Sequence, residues 1–247
     1  MTERLTGIAP AKVNLVLEVT GVRADGYHEI DTVLQTLELA DEVIVEFGVN
    51  PAVRVAGPFA SGTPADSSNL AWRAAALLAE RSGQTVDDIS ITLVKQIPAA
   101  GGLGGGASDA ATVLWLLGER WGASKETVAG VANAVGSDPA FFVAGGGTVR
   151  ARGRGEQLTP LLDVPAQPVV LFVPEATLER KTARMFAALD RLPFDDGAVS
   201  AAFASRLPGV VTATEIHNAF ERVAFDLFPG LSALWERIEE RSGEQVH

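Results

Sequence analysis

The chain has 247 residues, 47% hydrophobic and 21% charged, a composition that indicates one or two folded domains and excludes a disordered chain. Its 20 basic and 31 acidic residues give a net charge of −11, which argues against a general nucleic-acid-binding or anionic-membrane surface. The absence of cysteine excludes Cys/His zinc sites and thiol catalysis and fits a reducing, cytoplasmic location.

The first fifty residues predict strands. The N-terminus lacks the long apolar segment of a signal peptide, and no run of 18 apolar residues predicts a membrane span. Apolar residues alternate from Ile8 to Thr20, the period of a strand, which places Lys12 and Asn14 on one face. Asp25-Gly26 is a typical hairpin turn, and residues 29–38 and 42–47 predict two further strands.

The middle of the chain mixes helices and strands. Ser68 is the predicted N-cap of a helix over residues 69–82, with Gly83 just beyond its end. The remaining patterns predict a strand over 89–97, a helix ending near Trp121, a helix over 125–135 and a hairpin over 147–158.

The composition changes after Leu162. Residues 163–168 resemble a linker, and residues 168–174 predict a strand. Mostly helices are predicted after it, over residues 180–191, 196–206, 214–227 and 230–242. The elements together predict an α+β protein with a domain boundary near residue 160.

A glycine-rich segment, Pro-Ala-Ala-Gly-Gly-Leu-Gly-Gly-Gly-Ala-Ser, runs from Pro98 to Ser108 between a predicted strand and a predicted helix. Glycines let a backbone approach a ligand closely, and a helix N-terminus carries about half a positive charge. The segment therefore predicts an anion site, above all for phosphate, and the Ser108 hydroxyl could reach a phosphate or its metal. The alternative is a flexible connector between the strand and the helix.

Two well-known nucleotide loops fit this segment poorly. A P-loop requires lysine where Ala107 stands. The residues Gly102, Gly104 and Ala107 match a loose dinucleotide fingerprint, which needs a strand after the helix. Because the residues after Trp121 predict another helix, a dinucleotide-dependent oxidoreductase is a weak alternative.

Three segments together resemble the GHMP kinases. They are the glycine loop, APAKVNLVLEVTGVRADGYHEIDT (9–32) and VGSDPAFFVAGGGTVRARGRGEQLTPL (135–161). More narrowly, they are similar to the members of that family that phosphorylate 4-diphosphocytidyl-2-C-methyl-D-erythritol in non-mevalonate isoprenoid synthesis. The resemblance implies a two-domain α+β fold: an ATP-binding domain like domain 2 of ribosomal protein S5 over residues 1–160, and a shortened ferredoxin-like domain over residues 161–247.

The resemblance also implies a catalytic pair, Lys12 and Asp138. In phosphoryl transfer to an alcohol, a carboxylate can accept the hydroxyl proton, and an ammonium group stabilises the developing negative charge. Taken alone, Lys12 is equally well an ordinary solvent-facing strand lysine, and Asp138 is better explained as a helix cap.

Binding residues are implied in the same way. Asn14, Tyr27 and His28 would hold the cytidine end of the substrate, with Thr182 and Phe186 nearby. Their structural alternatives are turn packing for Tyr27 and His28, helix capping for Thr182 and core packing for Phe186. The implied ATP-binding residues are Asn69, Lys95, Pro98, Ala99, Ala100, Gly101, Gly102, Leu103, Gly104, Gly105, Gly106, Ala107 and Ser108. Asn69 could instead belong to a helix N-terminus, and Lys95 to an exposed strand end.

The expected reaction uses ATP and Mg²⁺ and phosphorylates the 2-hydroxyl of a small cytidyl diphosphate substrate. No nucleic-acid or membrane partner is expected, and the chain is expected to be a monomer or a weak homodimer.

Two departures from the family pattern stand out. Ala107 stands where members of the family commonly have a serine. The third motif of the family, Ser-Gly-Ser-Gly near the C-terminus, is not found before the final RSGEQVH, so an incomplete C-terminal domain is expected. Another GHMP small-molecule kinase, such as one for homoserine or mevalonate, and a truncated non-catalytic nucleotide-binding protein are the alternatives.

Overall fold

The computed structural model describes residues 3–99, 101–174, 180–243 and 246, which form two compact units. The first unit comprises the residues up to Val13 and Thr36–Gly146, and the second comprises Asn14–Gln35 and the residues from Gly147 onward. This division differs from the single boundary predicted near residue 160. The physical reason is that two long strands, β1 (Arg4–Val22) and β2 (His28–Phe47), each pass from one unit into the other.

The first unit combines helices with one part of a seven-stranded sheet. The second half of β2 pairs antiparallel with β4 (Ile89–Val94), and β4 pairs parallel with β3 (Ala52–Ala56). The alternate residues Val43, Val45, Ile91 and Leu93 are fully buried and form the core. The remaining elements of this unit are β3 (Ala52–Ala56), α1 (Leu70–Ser82), β4 (Ile89–Val94), α2 (Gly105–Trp121), α3 (Lys125–Val135) and α4 (Ser137–Val143).

The second unit contains the remaining strand pairs of the same seven-stranded sheet and has its own core cluster. The first half of β2 pairs antiparallel with β5 (Thr148–Gly153), and β5 pairs antiparallel with β6 (Gln157–Pro160). The strand β1 pairs parallel with β7 (His217–Asn218). Its elements are β5 (Thr148–Gly153), β6 (Gln157–Pro160), α5 (Lys181–Leu189), α6 (Ala198–Ser205), β7 (His217–Asn218), α7 (Glu221–Leu227) and α8 (Leu231–Ser242). The buried residues of one core cluster are Val19, Met185, Leu189, Ala219 and Val223.

Most helices lie where the sequence predicts them, and four assignments are corrected: two of strands, one of an N-cap and one of a helix start. The two strands predicted over 29–38 and 42–47 are the single strand β2, because its two halves have different pairing partners. The N-cap of α1 is Asn69 rather than Ser68. Residues 168–174 form no strand, and the helix predicted over 214–227 begins only at Glu221, after a short 3₁₀ turn and β7.

Two short elements, β3 and α4, were not predicted at all. The helix α4 has only seven residues and contains a proline, so its apolar pattern is too short to be recognised. Within the described ranges, the structure contains no helix of the length and apolarity that crossing a membrane requires.

Candidate active site

The glycine loop connects β4 to α2 as predicted, and glycine is required at its turns. Gly102 and Gly104 have φ angles of +81° and +73°, in the left-handed region. Gly104 precedes the first residue of α2, and its carbonyl accepts the Ser108 amide at 2.9 Å. The Lys12 amide donates to the Leu103 carbonyl at 2.9 Å, which joins the middle of the loop to β1. The predicted residue Ala100 lies outside the described residues.

Space around the loop glycines is uneven. A Cβ atom on Gly104 would lie 2.9 Å from Lys12 Cγ and 3.2 Å from the ring of Phe142. A Cβ atom on Gly106 would meet nothing within 4 Å. The loop is therefore tightly packed at Gly104 and open above the first turn of α2, where a ligand can approach the backbone.

Replacing Gly104 by alanine is expected to lower the free energy of unfolding by about 1–3 kcal/mol, because the new side chain is strained at this φ and collides with Lys12 and Phe142. The matched control is Gly106→Ala, which should leave that free energy unchanged or raise it by up to about 1 kcal/mol. Urea unfolding of the two variants measures the difference. Equal losses in both would contradict this description of the loop.

The two residues that follow Ala107 in α2 are polar and deeply buried. Ser108 is fully buried and Asp109 is 1% exposed. Among the described residues, neither Ser108 Oγ nor Asp109 Oδ1 has a hydrogen-bond partner. Buried polar atoms are rarely left without a partner in folded proteins, so an unpaired hydroxyl directly after the glycine loop is consistent with a ligand-binding role.

Lys95 lies in a buried cluster with two aspartates, which we name the Lys95 cluster: Lys95, Asp41 and Asp109. Its Nζ donates to Asp41 Oδ2 and to Asp109 Oδ2. Lys95 is only 3% exposed, so the alternative of an exposed strand end is wrong. Its ammonium group makes two buried ion pairs in this structure, and a role of Lys95 in ATP binding stays a prediction.

Burial raises the pKa of the Asp109 carboxyl from an ordinary 3.8 to about 7. The Lys95 ammonium group acts in the opposite direction, and the Asp41 carboxylate raises that pKa further. Two carboxylates thus share one ammonium group, and at Asp109 the effect of burial on the pKa outweighs that of Lys95.

Removing the Asp109 carboxyl should change how stability depends on pH. Because the folded-state pKa lies above the unfolded value, this group's contribution to stability is fully present below about pH 4 and is lost as pH rises to about 7. The free energy of unfolding of Asp109→Asn, relative to that of the parent, should therefore increase by on the order of a few kcal/mol between pH 4 and 8. Denaturant unfolding at several pH values measures this.

The matched control for the pH experiment is Glu126→Gln. The pKa of the Glu126 carboxyl is held below its usual value by hydrogen bonds with its own backbone amide and the Ser124 hydroxyl. The contribution of Glu126 to stability is lost as pH falls. The free energy of unfolding of Glu126→Gln, relative to that of the parent, should therefore decrease as pH rises, the opposite of the change expected for Asp109→Asn. A flat curve for Asp109→Asn would contradict the raised pKa.

Asn69 has a structural role at the N-terminus of α1, the alternative that the sequence left open. Its Oδ1 accepts the Ala71 amide at 2.9 Å, and its Nδ2 donates to the Pro64 carbonyl at 2.7 Å. The side chain is 4% exposed. Both ends of the amide are thus used within the protein, and a role of Asn69 in ATP binding stays a prediction.

Lys12 and Asp138 lie in the same unit as the loop. Lys12 is 7% exposed, which makes the interpretation as a solvent-facing strand lysine wrong. Asp138 is exposed and is the second residue of α4; the N-cap is Gly136, with no side-chain cap bond, so the cap interpretation is wrong as well. Phe142, one turn after Asp138, lies beside Gly104, as does the Lys12 stem. The structure therefore brings Lys12, the loop and α4 together.

In the second unit, His28 lies in an aromatic cluster. Its ring stacks on Phe186 with centroids 4.1 Å apart, and Phe186 meets the edge of Phe220 at 5.0 Å. His28 Nε2 lies 2.7 Å from Asp190 Oδ1. An ionised carboxylate accepts a hydrogen bond, so this contact places a proton on Nε2 and leaves Nδ1 of a neutral ring as an acceptor.

Tyr27 and Phe186 are aromatic surfaces that remain accessible to different degrees. Tyr27 is 56% exposed, and the Arg154 guanidinium lies 4.7 Å from its ring centroid. Phe186 is half-buried against the cluster of Met185 and Leu189, so its predicted core role is partly correct. The His28 and Phe186 rings are stacked on each other in this structure.

The last two predicted substrate residues differ in their surroundings. Asn14 Nδ2 donates to Thr32 Oγ1 at 2.8 Å, and Thr32 Oγ1 donates in turn to the Val16 carbonyl at 2.6 Å. Thr182 is exposed in the first turn of α5, and the N-cap of that helix is Arg180, so the capping interpretation of Thr182 is wrong.

Three site residues were missed in the sequence: Asp41, Asp109 and Asp190. Asp109 carried a usable signal, since a carboxylate inside the apolar run of α2 has to be buried. Asp41 and Asp190 carried no signal in the sequence, because their partners are distant in the chain. Lys95 is 54 residues from Asp41, and His28 is 162 residues from Asp190.

Comparison with known proteins identifies close relatives. The family model "GHMP kinases N terminal domain" matches residues 69–146. A 4-diphosphocytidyl-2-C-methyl-D-erythritol kinase of Mycolicibacterium smegmatis is 38% identical over 242 residues, which are 93% of this chain and 74% of that protein. A crystal structure of 4-(cytidine 5'-diphospho)-2C-methyl-D-erythritol kinase superposes with a TM-score of 0.69 at 36% identity, covering 96% of this chain and 83% of that one.

Other relatives are matched over a smaller share of their length. A protein of Saccharopolyspora erythraea with the same name is 42% identical over 192 residues, which are 76% of this chain but 59% of that protein. The chain thus spans about three fifths of that relative.

Proposed function

Because this chain belongs to the family of 4-diphosphocytidyl-2-C-methyl-D-erythritol kinases, we propose that it transfers the γ-phosphoryl group of ATP to the 2-hydroxyl of 4-diphosphocytidyl-2-C-methyl-D-erythritol. The α+β GHMP kinase fold expected from the sequence is confirmed, and the dinucleotide-dependent oxidoreductase alternative is wrong. The observation that carries the proposal is the convergence of Lys12, the glycine loop and α4 within one unit.

Asp138 is the proposed base. In the reaction the substrate oxygen forms a bond to the γ-phosphorus, the bond from that phosphorus to the β–γ bridging oxygen breaks, and ADP leaves. The hydroxyl proton passes to the Asp138 carboxylate, which is exposed and therefore accessible to a substrate.

Lys12 and the loop are proposed to stabilise the negative charge of the transferring group. Phosphoryl transfer depends mainly on positioning and charge stabilisation. The main-chain N–H groups at the start of α2 and the Ser108 hydroxyl would bind phosphate oxygens, and the buried Lys12 ammonium group would act beside Gly104. The open space at Gly106 fits a phosphate that approaches the backbone.

Mg²⁺ is proposed as the cation of the nucleotide. When bound, it would neutralise phosphate charge, which an acidic protein needs. Among the described residues, no three His, Cys, Asp or Glu side chains group as a resident metal site, so the phosphates themselves would supply most of its ligands. The unpaired Ser108 hydroxyl fits a contact with these phosphates or their cation.

Recognition of cytidine is proposed for the second unit. Tyr27 and Phe186 provide aromatic surfaces on which a base can stack. With Nε2 bonded to Asp190, the His28 ring can accept a hydrogen bond at Nδ1, and the exocyclic amine of cytosine is such a donor. Asn14 and Thr182 remain proposed substrate contacts.

The test of base recognition is the binding of CDP to Phe186→Ala. Loss of a stacking ring should weaken CDP binding about 5- to 100-fold while leaving the affinity for MgATP unchanged. The matched control is Phe225→Ala, which removes a half-exposed ring on α7 that contacts Trp235. Calorimetry with CDP, UDP and MgATP gives the three affinities. Equal CDP affinity in both variants would contradict a role of Phe186, and binding of neither CDP nor ATP by the parent would overturn the proposed function.

A further inference from the structure

We propose that the Lys95 cluster fixes both ends of the glycine loop, and that Asp41 and Lys95 are thereby positioning residues for ATP binding. The inference rests on the proposed phosphate-binding role of the loop. None of the three side chains needs to touch the nucleotide, since the cluster lies beneath the loop and is nearly inaccessible to solvent.

Asp41 holds the start of the loop. Its Oδ1 accepts the backbone amides of Gln96 and Ile97, at 2.5 and 2.8 Å. These two residues connect the end of β4 to Pro98, where the glycine-rich segment begins. A single carboxylate oxygen in the middle of β2 therefore sets the direction in which the chain leaves β4.

Lys95 joins this start to the end of the loop. Its ammonium group contacts Asp41 Oδ2 on one side and, at 2.5 Å, Asp109 Oδ2 on the other. Asp109 is the fifth residue of α2, directly after the loop. A Cβ atom on Gly105 would lie 3.3 Å from Asp41 Oδ2, so the first residue of α2 also packs against this carboxylate.

Stability alone gives a weak reason to bury such a cluster. Removing charged groups from water is costly, and replacing a buried ion pair by apolar residues is often neutral or stabilising. The Lys95 cluster is nevertheless buried under the residues that bind phosphate in the proposed function. Its geometric effect, two fixed loop ends and a fixed start of α2, accounts for charged groups at this position.

The test uses Lys95→Met and Asp41→Asn, with Asp31→Asn as the matched control. Asp31 is also a buried carboxylate in an ion pair, held by Arg150 Nε and Nη2 at 2.8 and 2.6 Å in the second unit. Lys95→Met and Asp41→Asn should each weaken MgATP binding about tenfold or more and raise the KM for ATP, with the KM for the cytidyl substrate unchanged. Asp31→Asn should lower Tm without changing the affinity for MgATP.

Hydrogen exchange tests the loop without requiring any ligand. The Ser108 amide bonds to the Gly104 carbonyl at 2.9 Å in the first turn of α2, and the Val128 amide bonds to the Ser124 carbonyl at 3.0 Å in the first turn of α3. In Lys95→Met, exchange should accelerate at Ser108 and not at Val128. Equal acceleration at both amides, or unchanged exchange at Ser108, would overturn the inference.

The two measurements separate the inference from the proposed function. If the parent protein does not bind MgATP, the proposed function is overturned, and exchange at Ser108 still decides whether the cluster fixes the loop. If the parent binds MgATP and the variants bind it equally well, the inference is overturned while the proposed function stands.

Discussion

Replacing Asp138 by asparagine is expected to lower kcat about 10²- to 10⁴-fold, because the amide cannot accept the proton of the substrate hydroxyl. The KM for ATP should change little, since Asp138 lies on α4 and not in the glycine loop. The side chain is exposed and makes no cap bond, so Tm should also change little. Steady-state ADP release with a thermal unfolding curve measures both quantities.

The control for Asp138→Asn is Glu126→Gln. Glu126 is likewise an exposed acid in the first turn of a helix of the first unit. The replacement removes the same charge from an equivalent helical position, and kcat should remain that of the parent. If Asp138→Asn retained the parent kcat, Asp138 would not be the base.

Replacing Lys12 by methionine is expected to lower kcat about 10²- to 10³-fold, the effect of removing one preorganised group that stabilises charge in a transition state. Methionine is the informative substitution because the Lys12 stem packs beside Gly104, and an unbranched apolar side chain preserves that packing. The ammonium group is then the main loss. Single-turnover rates at saturating ATP separate this effect from weaker nucleotide binding.

The control for Lys12→Met is Lys125→Met. Lys125 is exposed at the start of α3, so its loss changes the net charge by the same amount outside the glycine loop. Its kcat should equal that of the parent. Equal kcat values for both variants would show that the Lys12 charge does not act in the transfer step.

The local parts of the site could be predicted from the sequence. The glycine loop and α2 depend on neighbouring residues, because glycines set the turn and the apolar pattern sets the helix. The position of Lys12 on β1 followed from the alternation of apolar residues. What the pattern of β1 did not indicate is that Lys12 is buried, since that depends on Gly104 and Phe142, about ninety or more residues away.

The parts that failed depend on distant pairing. An apolar run becomes a strand only where another strand is available, and no described residue pairs with residues 168–174. Conversely, β2 continues through Asp41, a residue poorly suited to strands, because β5 and β4 pair with its two halves and Asp41 has buried partners. The Lys95 cluster follows from that same pairing.

The most direct test of the proposed activity is ADP release by the 247-residue chain with MgATP and 4-diphosphocytidyl-2-C-methyl-D-erythritol, with homoserine and mevalonate as alternative acceptors. The expected result is turnover with the cytidyl substrate alone. Turnover with homoserine or mevalonate instead would indicate a different GHMP small-molecule kinase. A folded protein that binds MgATP and phosphorylates none of the three would contradict the proposed activity and indicate a non-catalytic nucleotide-binding protein.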